Sequence, residues 1–139
     1  MRTEVIGGDD VVRIANDIIV ATEDALAIIV IGGERSVVCD EAIVFADDAL
    51  IGMATIAQKG ESGSGEPTIV GVYVRPADRK RGYGTLLLEA AVRRCRERGF
   101  ERVRIDTLTK GGKKIVRKLS PELLAHIDLH DQSDFLPSF

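Results

Sequence analysis

Thr68-Ile69-Val70-Gly71-Val72-Tyr73-Val74-Arg75-Pro76-Ala77-Asp78-Arg79-Lys80-Arg81-Gly82-Tyr83-Gly84-Thr85 is the stretch on which the fold turns. Its first seven residues are rich in β-branched side chains and read as a strand. A basic turn with two glycines comes next, and a helix-like run opens at Thr85. The first turn of a helix carries N–H groups with no intrahelical partner and the positive end of the macrodipole. Glycines let the backbone approach an anion without a Cβ in the way. Arg79, Lys80 and Arg81 add charge. Together these features predict an anion cradle of pyrophosphate size.

The spacing excludes two familiar cradles. A P-loop would end in Gly-Lys-Ser/Thr, which is missing. A dinucleotide fingerprint would place Gly or Ala at position 87, which is Leu87. What remains is Arg79-x-x-Gly82-x-Gly84 after the strand end Val72-Tyr73-Val74-Arg75-Pro76. This resembles motif A of the GNAT superfamily of N-acetyltransferases, Gln/Arg-x-x-Gly-x-Gly/Ala after an apolar-x-Val-x-Pro strand. The resemblance runs without a gap over about residues 69–108 and more loosely across the N-terminal half.

The helix after the turn supports that reading on its own terms. Leu87, Leu88, Ala91, Val92 and Cys95 form one apolar stripe at helical period. Gly99 suits a left-handed C′ position, with Phe100 as C″ folding back on Cys95. Residues 102–108 then alternate as a strand, which completes a βαβ-sized unit.

A chain of 139 residues fits one domain with a real core, and residues 1–139 are read as a single domain with a flexible tail over about 131–139. Charge is unevenly spread. Residues 75–118 hold 15 of the 19 Lys and Arg but 5 of the 22 Asp and Glu, a net +10 against −13 for the remainder. Such a block points to a small polyanion rather than to nucleic acid, whose stacking partners are nearly lacking at 4% aromatic residues. The helix arginines are equally consistent with a solvated face.

Elsewhere the reading is plainer. Val5-Ile6 is a short strand. Asp9 or Asp10 caps a helix carrying Val11, Val12, Ile14, Ala15, Ile18 and Ile19, and a second helix covers about 22–30, although 25–38 fits helix or strand. Residues 41–46 and 50–58 are two strands about a turn at Asp47-Asp48. The Gly- and Ser-rich stretch 60–65, flanked by Glu66, is a flexible connection rather than a phosphate loop. Ser120-Pro121-Glu122 caps a short helix, and a strand begins near Ile127. Cys39 and Cys95 read as inert free thiols suited to a reducing cytosol. The most apolar run, 25–31, is seven residues, against the roughly 18 or more of a membrane helix. Neither a membrane nor nucleic acid is expected as a partner, and no metal. His126 and His130 have no Glu between them in the H-E-x-x-H manner, and either is an alternative general base.

The resemblance implies a mixed α/β fold: a mostly antiparallel central sheet flanked by helices, here with a shortened C-terminal end. It implies acetyl-CoA as co-substrate and direct transfer of the acetyl group to an amine of a small molecule, protein or peptide, in the cytoplasm. The strand N–H that polarises the thioester maps to Val72 or Val74. The pyrophosphate maps to the turn from Lys80 to Thr85, and so to Arg79, Lys80, Arg81, Gly82, Tyr83, Gly84 and Thr85. The chain departs from the family in one respect. The short helix expected after Asp106 carries no tyrosine to protonate the leaving thiolate. A base sometimes found on the strand aligns with Thr68, so Glu66, two residues earlier, is the candidate catalytic carboxylate. The acceptor side is short of strands, so either it is open or a second copy completes it as a homodimer. The rival to an N-acetyltransferase is a non-catalytic acyl-CoA-binding regulator that kept the cradle and lost the acid.

Overall fold

Short runs of β-branched and aliphatic residues, bounded by polar and glycine-bearing turns, favour a sheet of short strands. The computed structural model describes residues 2–7, 41–46, 50–57, 66–107 and 110–131. Six strands are described: β1 (Arg2–Gly7), β2 (Glu41–Ala46), β3 (Leu50–Ala57), β4 (Thr68–Val74), β5 (Val103–Thr107) and β6 (Ile127–Asp131). They lie side by side in chain order, the first three pairings antiparallel and the last two parallel. The parallel pairings are made possible by helical crossovers: α1 (Tyr83–Glu97) joins β4 to β5, and α2 (Lys110–Arg117) with α3 (Pro121–Leu124) joins β5 to β6. The expected helices within 9–30, the 25–38 stretch, Cys39, the Asp47-Asp48 turn, the 60–65 connection and the tail beyond Asp131 lie outside the described residues.

Helix α1 forms because its sequence is mostly strong helix formers, Leu, Ala, Glu and Arg, with one apolar stripe. That stripe, Leu87, Leu88, Ala91, Val92 and Cys95, is buried against the sheet, where Ile43, Ala54, Ile56, Ile69, Val103 and Ile105 meet it. The helix begins at Tyr83, two residues before the sequence reading placed it, because Gly82 adopts φ +84° and serves as N-cap. It ends as expected. Gly99 takes φ +94°, its N–H bonds Arg96 O at 3.0 Å, and Phe100 N–H bonds Cys95 O at 3.1 Å. This pair of bonds is a Schellman closure.

Close packing fixes the distance of α1 from the sheet. A Cβ on Gly52 of β3 would lie 2.5 Å from Tyr73 O and 2.7 Å from Leu87 Cδ1. Glycine there lets the helix approach. Arg94 on the helix then grips Glu41 on β2 with two bonds, Nε to Oε1 at 2.7 Å and Nη2 to Oε2 at 3.0 Å. Those bonds hold the Glu41 carboxyl below the usual carboxylate range. Of the helix arginines, Arg93 and Arg96 are solvated, whereas Arg94 and Arg98 face Glu41. At the far side, Ser120 Oγ accepts from Leu123 N–H and caps α3, which Pro121 opens.

Candidate functional site

The site grows from an irregularity in β4. Thr55 stands opposite Gly71 and the next residue, Ile56, stands opposite Ile69, so Val70 is an extra residue in the ladder. Such a bulge bends a strand and raises its twist. On its other side β4 pairs with β5 only through Thr68 beside Arg104 and Ile69 beside Ile105. Past Ile69 the two strands part, while β5 stays paired with β6 to Thr107.

Alternation along β4 decides which of its backbone groups face this splay. Arg75 N–H bonds Ile51 O on β3 at 2.8 Å. Peptide groups alternate along a strand, so Tyr73 and Gly71 also turn toward β3, while Val72 and Val74 turn their N–H groups toward the splay. The Val74 carbonyl there accepts from Arg79 Nε at 2.9 Å. The side chains of Val72 and Val74 pack on the core under α1.

The turn after β4 folds compactly around a carboxylate. Pro76–Asp78 make one turn of 3-10 helix, and Asp78 is buried. It binds Arg75 Nε through Oδ2 and faces Arg81 Nη1 through Oδ1 at 3.4 Å. Lys80 adopts φ +66° and Gly82 φ +84°, so the chain reverses twice before entering α1. The first helical bond runs from Leu86 N–H to Gly82 O at 3.2 Å. The N–H groups of Tyr83, Gly84 and Thr85 precede it, and the first turn holds no acidic residue. The positive end of the α1 dipole is therefore not neutralised by its own helix. Arg79, Lys80 and Arg81 are exposed around it. Tyr83 leans its ring on Phe45, with centroids 5.3 Å apart.

Helix α2 closes one flank. A Cβ on Gly84 would lie 3.0 Å from Ile115 Cδ1, so α2 sits directly against the first turn of α1. Val116 and Leu119 anchor it in the core, while Lys114, Arg117 and Lys118 face solvent. It carries no tyrosine.

The structure thus brings Val72, Val74, Arg79, Lys80, Arg81, Gly82, Tyr83, Gly84 and Thr85 to one end of β4. Glu66 does not join them. It lies six residues before Val72, which is about 20 Å of strand, and is half-buried at the other end of β4. His126 is also remote: its Nδ1 donates to Glu101 O at 3.0 Å in the turn before β6. The two histidines do not share a helix face, since His130 is on β6, in register with Asp106. Among the described residues no cluster of three or more His, Cys, Asp or Glu side chains is placed to hold a metal ion. No helix among them is long and apolar enough to cross a membrane. Sequence reading missed Asp78, although its spacing of three from both Arg75 and Arg81 was a signal for a clamped turn.

Comparison with known proteins shows the family and the fold. The model of the acetyltransferase (GNAT) family matches residues 22–115. An aminoglycoside acetyltransferase from an uncultured soil metagenomic sample, solved with sisomicin, is similar in fold at a TM-score of 0.58 and 16% identity, covering 87% of this chain and 88% of that one. The ribosomal-protein-alanine N-acetyltransferase of Brucella melitensis biovar Abortus 2308 gives 0.57 and 16%, with 85% and 90% covered. An aminoglycoside N-acetyltransferase solved with CoA gives 0.56 and 16%, with 86% and 90% covered. Among curated protein sequences there was no match.

Proposed function

The chain belongs to the GNAT family and is an acetyl-CoA-dependent N-acetyltransferase, and we propose that it transfers the acetyl group directly from the thioester to an amine held at the β4–β5 splay. The observation that carries this reading is the splay itself, with the Val72 and Val74 N–H groups turned into it beside an α1 N-terminus whose first turn holds no acidic residue.

In this reading the pyrophosphate of acetyl-CoA lies against the N–H groups of the turn from Lys80 to Thr85, with Arg79, Lys80 and Arg81 around it. Gly82 and Gly84 keep Cβ atoms out of the way. The pantetheine arm runs into the splay. The amine nitrogen attacks the thioester carbonyl carbon, and the carbonyl oxygen takes up the electron pair. The Val72 or Val74 N–H stabilises that oxyanion, a contribution worth on the order of 100-fold to 1000-fold in rate for one well-placed donor. The C–S bond then breaks, giving the amide and the CoA thiolate. The amine's proton must leave. Glu66 is the carboxylate proposed for it, and distance requires intervening groups to relay the proton. A Glu66→Gln variant with undiminished kcat would remove it from the mechanism. Thiolate is a fair leaving group, so the reaction proceeds without a tyrosine on α2.

Residues 1–139 act as one domain in this proposal, working in the cytosol, with acetyl-CoA as the polyanion that the basic block serves and with neither nucleic acid nor a membrane as partner. The acceptor side is open to a small-molecule or peptide amine, or is completed by a second copy. Light scattering distinguishes a monomer from such a homodimer.

The test is a calorimetric titration with acetyl-CoA, followed by thiol release with a panel of amines. Saturable binding with amine-dependent thiol release is expected. Binding without release from any amine would favour the acyl-CoA-binding regulator, to which the missing α2 tyrosine lends weight. No binding at all would overturn both.

A further inference from the structure

Strands β4, β5 and β6 run parallel toward the splay. Ile105 is the last residue of β5 paired with β4, so Asp106 is the first to stand on the far wall of the opening. His130 of β6 is in register with Asp106, and neighbouring strands lie about 5 Å apart. Val103 and Ile105 pack under α1. Alternation therefore sets Arg104 and Asp106 on the opposite face of the sheet, and register sets Asp128 and His130 there with them. Thr68, in register with Arg104, continues this face onto β4. Tyr73 belongs to it as well, beyond the bulge, because Val72 and Val74 take the α1 side. Tyr73 is 3% exposed and its hydroxyl has no hydrogen-bond partner among the described residues. Native proteins leave few buried hydroxyls unpaired, and a polar ligand at this end of the face would give it a partner.

An imidazole next to a carboxylate suits proton transfer. Its unperturbed pKa of about 6.5 lies close to neutrality, and a carboxylate at one ring nitrogen decides which nitrogen is left to accept. Position separates the two histidines. His126 lies four residues before His130, about 13 Å at the rise of a strand, and its Nδ1 is taken by Glu101 O. Glu66 is at that remote end too. The charged and titratable residues of this face around His130 are Asp106 in register, Asp128 two residues back, Arg104 on the diagonal and Tyr73 across the splay.

We propose that His130 is the base that takes the proton of the acceptor amine, and that Asp106 is the positioning residue for its imidazole. The inference rests on the acetyl-transfer reading and deepens it, by giving the proton a first acceptor at the splay. An ammonium acceptor passes one proton to the neutral imidazole, directly or through one water, and the freed lone pair attacks the thioester carbon. The imidazolium releases that proton to solvent. When the C–S bond breaks, its electron pair goes to sulfur, and the second proton of the nitrogen ends on the thiolate. The products are the amide, the CoA thiol and one proton.

The test uses the full chain, whose two histidines are distinguished in imidazole nitrogen NMR by one variant, His126→Gln. With the ring neutral, His130 shows a single tautomer in the wild type and in His126→Gln, and a mixture in Asp106→Asn. Thiol release from acetyl-CoA is then followed against pH with ethanolamine, glycinamide and a lysyl tetrapeptide. His130→Gln lowers kcat roughly 100-fold or more and loses the acid limb of the profile, leaving only the ionisation of the amine itself. Asp106→Asn keeps part of the rate and moves the limb to lower pH, and His126→Gln matches the wild type. Acetyl-CoA affinity and melting temperature stay unchanged in all three variants. Undiminished kcat with the limb intact in His130→Gln, or mixed tautomers at His130 in the wild type, would overturn the proposal and leave acetyl transfer standing. Thiol release with none of the amines would take down the acetyl-transfer reading, and the base with it.

Discussion

Replacing Gly82 tests the anion cradle, because strain and charge can be separated there. Gly82 sits at φ +84°, and nothing lies within 4 Å of a Cβ added to it. Gly82→Ala therefore introduces backbone strain alone, costing about 1–2 kcal/mol of stability in the left-handed region. Gly82→Glu adds the same strain and a carboxylate facing the pyrophosphate. With two phosphate charges at about 6 Å, the repulsion is ~1.4 kcal/mol at the dielectric of water and ~5.5 kcal/mol at an effective value of 20. The exposed turn lies toward the watery end, so acetyl-CoA should bind Gly82→Glu at least ~10-fold more weakly than Gly82→Ala. Urea unfolding measures the shared strain, and calorimetry measures the difference in affinity. Raising salt from 0.1 M to 1 M shortens the screening length from about 10 Å to about 3 Å, so the gap should narrow. If the two variants bind acetyl-CoA within about twofold of each other at low salt, the pyrophosphate does not lie at this turn.

The packing makes three further outcomes testable. Gly52→Ala places a Cβ within 2.5 Å of backbone and 2.7 Å of Leu87, so it should lower stability by about 1–3 kcal/mol in urea unfolding, and a neutral result would mean that α1 shifts freely. Cys95 is fully buried, and burial pushes its thiol up to about 11, so iodoacetamide at pH 8 should label it only in denaturant, as mass mapping would reveal. Glu41 has a folded-state pKa below its unfolded value, so the stability it contributes is present above the unfolded carboxylate range of about 4.3 and lost as pH falls through the folded pKa. Glu41→Gln should therefore melt below the wild type at pH 7 and converge with it once pH falls below the folded-state pKa, and melting curves separated equally at all pH values would count against the pairing with Arg94.

Most of the βαβ segment was legible in the chain because its signals are local. The stripe from Leu87 to Cys95, the Gly99-Phe100 closure and the Ser120-Pro121 start each depend on residues a few positions apart, and backbone preference with helical period settles them. The turn before α1 was legible as a turn for the same reason, down to its glycines, although no Ser, Thr, Asp or Asn marked the true start of α1 at Gly82. What needed the tertiary structure is whatever depends on pairing between distant segments. The extra residue Val70 is an ordinary valine until the register of β3 passes it over, and that register opens the splay and turns the Val72 and Val74 amides into it. Arg94 and Glu41 are 53 residues apart and meet only because α1 packs across β2. Asp78, by contrast, meets Arg75 and Arg81 three residues away on either side, a local signal that the sequence reading passed over. Thr68 and Tyr73 fall on one face only because the bulge shifts the alternation between them. Local sequence sets which elements form, since their hydrogen bonds close within a few residues. Strand register is set by burial across the whole sheet, and this site is a consequence of register.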